Sequence, residues 1–377
     1  MTTVSEAPAA GRARTRGVAR LLSLRTAAPE TVVPQQDAFE TYYRERYRGV
    51  AKAEGIFRGS GVRTRHMAWD PRTAYADGYP PIKPRMAAWE EHVLAMSRST
   101  VGGVLSAAQA AGTGGAAGAD RLTDRIGSFV MASCTGYAGP TPDILLAKEF
   151  GLRKDLRRTF IGHMGCNAAF NVLKAAFDAL AARPDELVLA GSAEVCSVHH
   201  RPEFTAEQAV VNALFGDAGA MTLLAADDGG AAPGPVFLGT HTETHPETTH
   251  AMSWHIEDQA FRMTLSPYVP FYIGESITPF VERLIAPHGL GVGDIRHWGI
   301  HPGGPKIIDF VGQKLDLTSS QLAPSRAVLA DHGNCSSATI LLILDRIMRE
   351  GRPAPGEYGV LMAFGPGLTM ESALVRF

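Results

Sequence analysis

Apolar side chains at Phe170, Val172, Leu173, Ala176, Phe177 and Leu180 recur at spacings of three and four, the period of a helix with one buried face. Short continuous apolar runs alternate with segments of this kind. Residues 18–26, 126–132, 187–190, 221–225, 297–300, 358–363 and 371–377 read as strands, and 159–162 lead to the turn at Cys166. Residues 37–52, 87–111, 143–150, 277–285, 306–315 and 338–348 read as helices, and 209–220 lead into the strand at 221. Strands alternating with helices predict an α/β fold.

The breaks in this pattern organise the chain. Residues 1–17 are rich in Ala, Thr and Arg and hold no apolar stretch, so a flexible tail is expected and a secretory signal is not. Residues 112–118 are Gly-rich but precede a strand instead of linking a strand to a helix, so they read as a loop and not as a dinucleotide fingerprint. Residues 227–235 are rich in Gly, Ala and Pro and mark a boundary between an N-terminal half, 18–226, and a C-terminal half, 236–377. Each half runs strand, Gly-containing turn, helix, then a turn with a polar residue at a helix start, an order that points to internal duplication.

Composition narrows the class. At 377 residues the chain exceeds the usual single core. With 45% hydrophobic and 20% charged residues and a formal charge of -2, it has the make-up of a globular protein with no bias toward nucleic acid or anionic membrane. No apolar run has transmembrane length. The four cysteines Cys134, Cys166, Cys196 and Cys335 form no CxxC pair, which argues against zinc and a disulfide scaffold and for reduced thiols in a cytoplasm. His241, His245, His250 and His255 lie near Glu243 and Glu247 but lack HExxH or another metal spacing, so this segment reads as a polar surface loop. The basic stretch Arg58-Gly59-Ser60-Gly61-Val62-Arg63-Thr64-Arg65-His66 is either a solvated loop or a rim that contacts phosphate, since guanidinium matches phosphate oxygens.

Three polar residues stand beside glycines at element ends: Cys166 after Gly165, His301 before Pro302-Gly303-Gly304, and Asn334 after Gly333. Cys166 opens the helix of Phe170–Leu180, where unpaired N–H groups and the dipole favour a thiolate. Singly, each has a plain alternative: a buried cysteine, a turn histidine, an N-cap asparagine. Together they supply a nucleophile, a base and an oxyanion donor, a set suited to acyl-thioester chemistry and equally open to a cysteine hydrolase.

The blocks Gly165-Cys166, Leu214-Phe215-Gly216-Asp217, His301-Pro302-Gly303-Gly304-Pro305, Gly333-Asn334-Cys335-Ser336-Ser337-Ala338 and Phe364-Gly365-Pro366-Gly367-Leu368-Thr369 resemble, in order, those of the type III polyketide synthases, the chalcone-synthase-like enzymes of the thiolase fold. The resemblance covers about residue 18 to the C-terminus. It implies a layered α-β-α-β-α core of two related βα halves, and a homodimer that uses malonyl-CoA and an acyl-CoA starter without a cofactor. Cys166 would carry the acyl group, His301 would keep it ionised, and His301 with Asn334 would stabilise the enolate left by decarboxylation. Phe215 would shield that step. Thr135, His199, Met263, Ser336 and Gly139 would face the substrate cavity. Arg58, Arg63, Lys306, Gly303 and Gly304 would meet coenzyme A. A ketoacyl-synthase-III-like single condensation and a non-catalytic acyl-CoA-binding protein are the competing readings. The stretches His163–Ala168, Ala209–Asn212 and Tyr358–Met362 are similar to a bacterial branch that makes 3,5-dihydroxyphenylacetyl-CoA. Three positions depart from plant members: Met263 stands for a gatekeeping Phe, Gly139 for a Met that crosses the dimer, and His199 for a small polar residue. The first two predict a roomier cavity, and His199 predicts a group that titrates near neutral pH.

Overall fold

The computed structural model describes residues 18–112, 121–201, 203–229, 234–266 and 268–377. The expected tail at 1–17 and most of the Gly-rich loop at 112–118 lie outside these residues, as does the centre of the 227–235 boundary. The strands are β1 (Ala19–Ala27), β2 (Val32–Pro34), β3 (Thr64–His66), β4 (Ile126–Ser133), β5 (Arg157–Gly162), β6 (Leu187–Val195), β7 (Asp217–Ala226), β8 (Val236–Thr244), β9 (Met252–Ile256), β10 (Phe261–Leu265), β11 (Ile295–Ile300), β12 (Tyr358–Gly365) and β13 (Thr369–Arg376).

One nine-stranded sheet runs β11-β12-β13-β8-β1-β7-β6-β4-β5. Its two sides repeat a pattern. β5, β4 and β6 are parallel and are followed by antiparallel β7 and β1. β11 and β12 are parallel and are followed by antiparallel β13 and β8. The sides meet only where Ala19 and Arg20 of β1 face Phe237 and Val236 of β8. β5 has no counterpart on the second side.

Alternation along the strands assigns each residue a layer. Val130 and Ala132 of β4 and Leu361 and Ala363 of β12 join one inner core, into which the helices Ala168–Ala182 and Thr339–Arg346 send Phe170, Leu173, Phe177, Ile340 and Ile343. Phe129 and Met131 face instead the long helix Ile82–Ala110, through Trp89, Val93 and Val104. Val360, Met362 and Phe364 face the helices Val269–Ile285 and Pro305–Lys314. Outer helix, sheet, inner helices, sheet, outer helices is the expected five-layer α-β-α-β-α order. β4, β6 and β12 are buried on both faces, which is why they are near-continuous apolar runs.

Several local expectations change. Residues 37–52 are not one helix but short α and π turns from Gln35 to Arg46. The histidine-bearing segment is not a loop: His241 lies in β8 and His255 in β9, and β9 pairs with β10 as a hairpin. A polar face suited one side of these strands and hid their period. The helix Ser319–His332 was not anticipated, because Pro324 interrupts a weakly patterned sequence. Among the described residues no His, Cys, Asp and Glu group is set to hold a metal. No described helix is long and apolar enough to cross a membrane.

Burial leaves a titration signature. Removal from water pushes His199 and His200 down to about 3 from the ordinary 6.5. Between about pH 3 and 6.5 the unfolded chain therefore binds protons that the native chain refuses, and stability rises with pH across that window. The contribution is complete above about 6.5 and is lost as pH falls, by about 1.4 kcal/mol per pH unit for each imidazole. Urea unfolding should show a midpoint that drops between pH 7 and 5, with a shallower drop in His200→Gln. A midpoint that holds constant in the wild type would show that these rings are not buried in neutral form.

Candidate active site

The parallel strands converge on one region with their C-terminal ends, where α/β sheets hold ligands. β4 leads to Cys134 and Thr135, β5 to Cys166, β6 to His199 and β11 to His301. Cys166 occupies the turn between β5 and the inner helix Ala168–Ala182. Gly165 has a φ of +83°, and a Cβ on it would fall 2.3 Å from Cδ of Pro366. The turn therefore needs glycine both for its handedness and for its packing against the Gly365-Pro366-Gly367 segment. Sequence blocks at either end of the chain meet here.

Asn334 reaches the cysteine from the second half. Its carboxamide lies 3.9 Å from Cys166 Sγ. The Ser336 amide donates to Asn334 Oδ1 at 2.9 Å, which leaves the Nδ2 hydrogens facing the cavity as donors. The position is set by main-chain pairing: Asn334 N–H donates to Leu214 O at 2.8 Å and Gly216 N–H to Asn334 O at 3.0 Å. The same pairing fixes Phe215 beside Asn334.

Cys166, His301, Asn334 and Phe215 line one open chamber of about 900 Å³. The chamber is bounded by Val210, Leu265, Ile273 and Phe364, and by Gly303, Gly304, Lys306 and Lys52. Both ring nitrogens of His301 are buried without a protein partner, so its hydrogen-bonding capacity is free for a ligand or for Cys166. Burial pushes the Cys166 thiol up to about 12, although Asn334 and Ser336 pull it down. Burial pushes His301 down to about 3. Each group alone is therefore neutral in the resting site.

A second, inner chamber of about 50 Å³ shares Cys166, Phe215, Met252 and Met263 with the first. Thr135, His199, Ser336 and Trp254 line it. It is small because aromatic rings fill the space. Trp254 donates its indole N–H to Cys134 O at 2.8 Å, and Phe261 stacks on His199 at 4.3 Å. Met263 borders both chambers. His199 is not a titrating group near neutral pH: it bonds Thr135 O at 2.7 Å through Nε2 and accepts from Phe261 N–H at 3.1 Å through Nδ1. Gly139 is exposed and lines neither chamber of this protomer.

The structure does not bring all the basic candidates to the mouth. Arg58 pairs with Glu54 and Arg63 with Asp331, both at the exposed surface. Neither lines the chamber, whereas Lys306 and the unanticipated Lys52 do. Glu194, Met252 and Trp254 were also missed. Glu194 is fully buried and accepts from Cys134 N–H, Thr135 Oγ1 and Ser337 Oγ, and burial raises its pKa. An acid inside the apolar run of β6 was the signal for it. Met252 and Trp254 gave none, since only the hairpin turns them inward.

The model of the chalcone and stilbene synthase N-terminal domain matches residues 7–228, and that of the C-terminal domain matches residues 239–377. The 3,5-dihydroxyphenylacetyl-CoA synthase of Streptomyces toyocaensis is 40% identical over 249 residues, 64% of each chain. The 1,3,6,8-tetrahydroxynaphthalene synthase of Streptomyces peucetius subsp. caesius is 34% identical over 84% of this chain and 81% of that one. The crystal structure of the 1,3,6,8-tetrahydroxynaphthalene synthase of Streptomyces coelicolor A3(2), a bacterial type III polyketide synthase, has a TM-score of 0.84. Its identity is 26%, over 95% of this chain and 99% of that one. The chain thus belongs to the chalcone and stilbene synthase family and is an acyltransferase of the type III polyketide synthase kind.

Proposed function

We propose that the protein condenses malonyl-CoA units onto a short acyl starter carried on Cys166 and releases a cyclised aromatic of resorcinol or phloroglucinol type, or a pyrone. The observation that supports this most directly is the single chamber in which Cys166, His301, Asn334 and Phe215 meet. The bounds proposed for the two halves are 18–226 and 236–377. A homodimer in the cytoplasm is part of the same proposal.

The chemistry follows from the burial. A lone thiolate or a lone imidazolium is costly here, but a proton passed from Cys166 Sγ to His301 creates both at once, and each stabilises the other in a low dielectric. The thiolate attacks the starter thioester, and coenzyme A leaves. When malonyl-CoA follows, the bond between its C2 and carboxylate breaks and carbon dioxide departs. The electron pair moves onto the thioester carbonyl, where Asn334 Nδ2 and His301 supply donors. The apolar Phe215 ring disfavours the carboxylate relative to neutral carbon dioxide. The enolate carbon then attacks the acyl group on Cys166, and the thiolate is released.

Size favours a slim starter. An apolar cavity of about 150 Å³ holds benzene, and the inner chamber offers about 50 Å³. That contrast favours a short aliphatic unit there over a phenylpropanoid ring. The outer chamber, at about 900 Å³, has room for the pantetheine arm and the growing chain.

Cys166→Ala should abolish both product and the acyl adduct seen by intact-protein mass, while Ala at Cys134, Cys196 or Cys335 should leave the adduct on Cys166. His301→Gln should slow iodoacetamide alkylation of Cys166 at pH 7.5 by at least about tenfold and move its pH midpoint upward, because the thiol loses its proton acceptor. Equal alkylation rates would remove His301 from that role. Lys52 and Lys306 line the outer chamber, and their ammonium groups suit the phosphates of coenzyme A. Lys52→Ala and Lys306→Ala should raise the malonyl-CoA KM with little change in kcat, while Arg58→Ala and Arg63→Ala leave it unchanged. The reverse pattern would return coenzyme A to the arginines. Trp254→Ala should open the inner chamber and shift chromatographed products toward longer chains. Unchanged products from a variant with a normal thermal melt would show that the indole does not limit chain length.

A further inference from the structure

The basic stretch near residue 60 contains one arginine that never reaches solvent. Arg65 has no exposed surface. It lies in β3, held by pairing with Val33 of β2. Its guanidinium Nη1 donates to Asn212 O at 2.6 Å and to Phe215 O at 2.9 Å. Among the described residues it forms no ion pair, and burial lowers its pKa despite the pull of Tyr43 and Asp217. A buried cation held mainly by carbonyls is expensive to keep.

Those carbonyls are the clue. The helix Ala206–Leu214 ends at Phe215, and the carbonyls of its last turn have no partner within the helix. The guanidinium supplies that partner at the negative end of the helix dipole. The stem of Arg65 occupies the space beside two glycines. A Cβ on Gly216 would lie 3.4 Å from Arg65 Cβ, and one on Gly333 would lie 3.1 Å from Arg65 Cδ. Gly216 and Gly333 are the neighbours of Phe215 and Asn334. The side chain thus packs against both strands of the pairing that aligns these two residues.

We infer that Arg65 is a positioning residue that sets Phe215 and Asn334 against Cys166 by clamping the end of the helix Ala206–Leu214 onto the Gly333-Asn334 segment. This rests on the proposed function for its kinetic consequence and on geometry alone for its structural one. The clamp is made by one nitrogen that serves two carbonyls from a rigid planar head. A lysine ammonium ends a flexible stem and is not held in such a plane.

The test compares Arg65→Met and Arg65→Lys with Arg20→Met, which removes another buried arginine, one paired with Asp227 on β1. All three are measured per folded molecule, beside thermal melts. Both Arg65 variants should lose at least about tenfold in condensation kcat with a malonyl-CoA KM within about twofold of wild type, since a misplacement of about 1 Å can cost that much or more. Arg20→Met should lose melting temperature but keep its kcat. Crystal structures of the Arg65 variants should show the Phe215 ring and the Asn334 carboxamide displaced relative to Cys166. A wild-type kcat in Arg65→Met, or both residues in place in its crystal structure, would overturn the inference. A wild-type protein that does not turn over malonyl-CoA would instead defeat the proposed function, and the crystallographic comparison would still decide the role of Arg65. If Arg65→Met does not fold, Arg65→Lys, which keeps the charge, carries the same test, and a wild-type kcat there would also overturn the inference.

Discussion

A few main-chain hydrogen bonds join the two ends of the site. Asn334 exchanges amide and carbonyl with the Leu214-Phe215-Gly216 segment, and this junction places an amide from one half beside a cysteine from the other. Side chains alone could not do this, because Asn334 and Phe215 sit at the ends of separate helices. Two further constraints serve the junction. The Gly165 turn lies against Pro366, and the inner helices Ala168–Ala182 and Thr339–Arg346 share one apolar core. The five-layer arrangement is thus what makes a site from segments far apart in sequence.

Burial then governs the chemistry. The thiol of Cys166 and the imidazole of His301 are both held neutral by their surroundings, so ionisation is favourable only as a pair. Glu194, equally buried, is stabilised by hydroxyl and amide donors instead of a cation. His199 is fixed by two hydrogen bonds and serves as a wall. At the mouth, where water screens charge, Lys52 and Lys306 line the outer chamber.

The wall of the inner chamber shows how space can be assigned by residues that carry no chemical signature. Met252, Trp254, Phe261 and Met263 come from the hairpin of β9 and β10. Two flexible thioethers stand between the chambers, where they can adapt to different acyl groups. The indole of Trp254 is anchored to Cys134 O, so this part of the wall is a fixed group.

The sequence alone determined the α/β class, the positions of most strands and helices, and the trio Cys166, His301 and Asn334. Apolar period and glycine at a turn are local properties, and each of these residues sits in a local setting that its neighbours specify. The sequence did not show that Arg65 is buried while Arg58 and Arg63 are exposed, because the three share one basic stretch and only the pairing of β3 with β2 turns Arg65 inward. It did not show Trp254 as a cavity wall or His199 as a neutral one, since a side chain's surroundings depend on which distant element packs against it. Nor did it show Lys52 beside Lys306, which are brought to one mouth from opposite ends of the chain. Local rules fix what an element is. Burial, proximity and the ionisation they impose are long-range quantities, and the packing of the two halves against shared inner helices decided them.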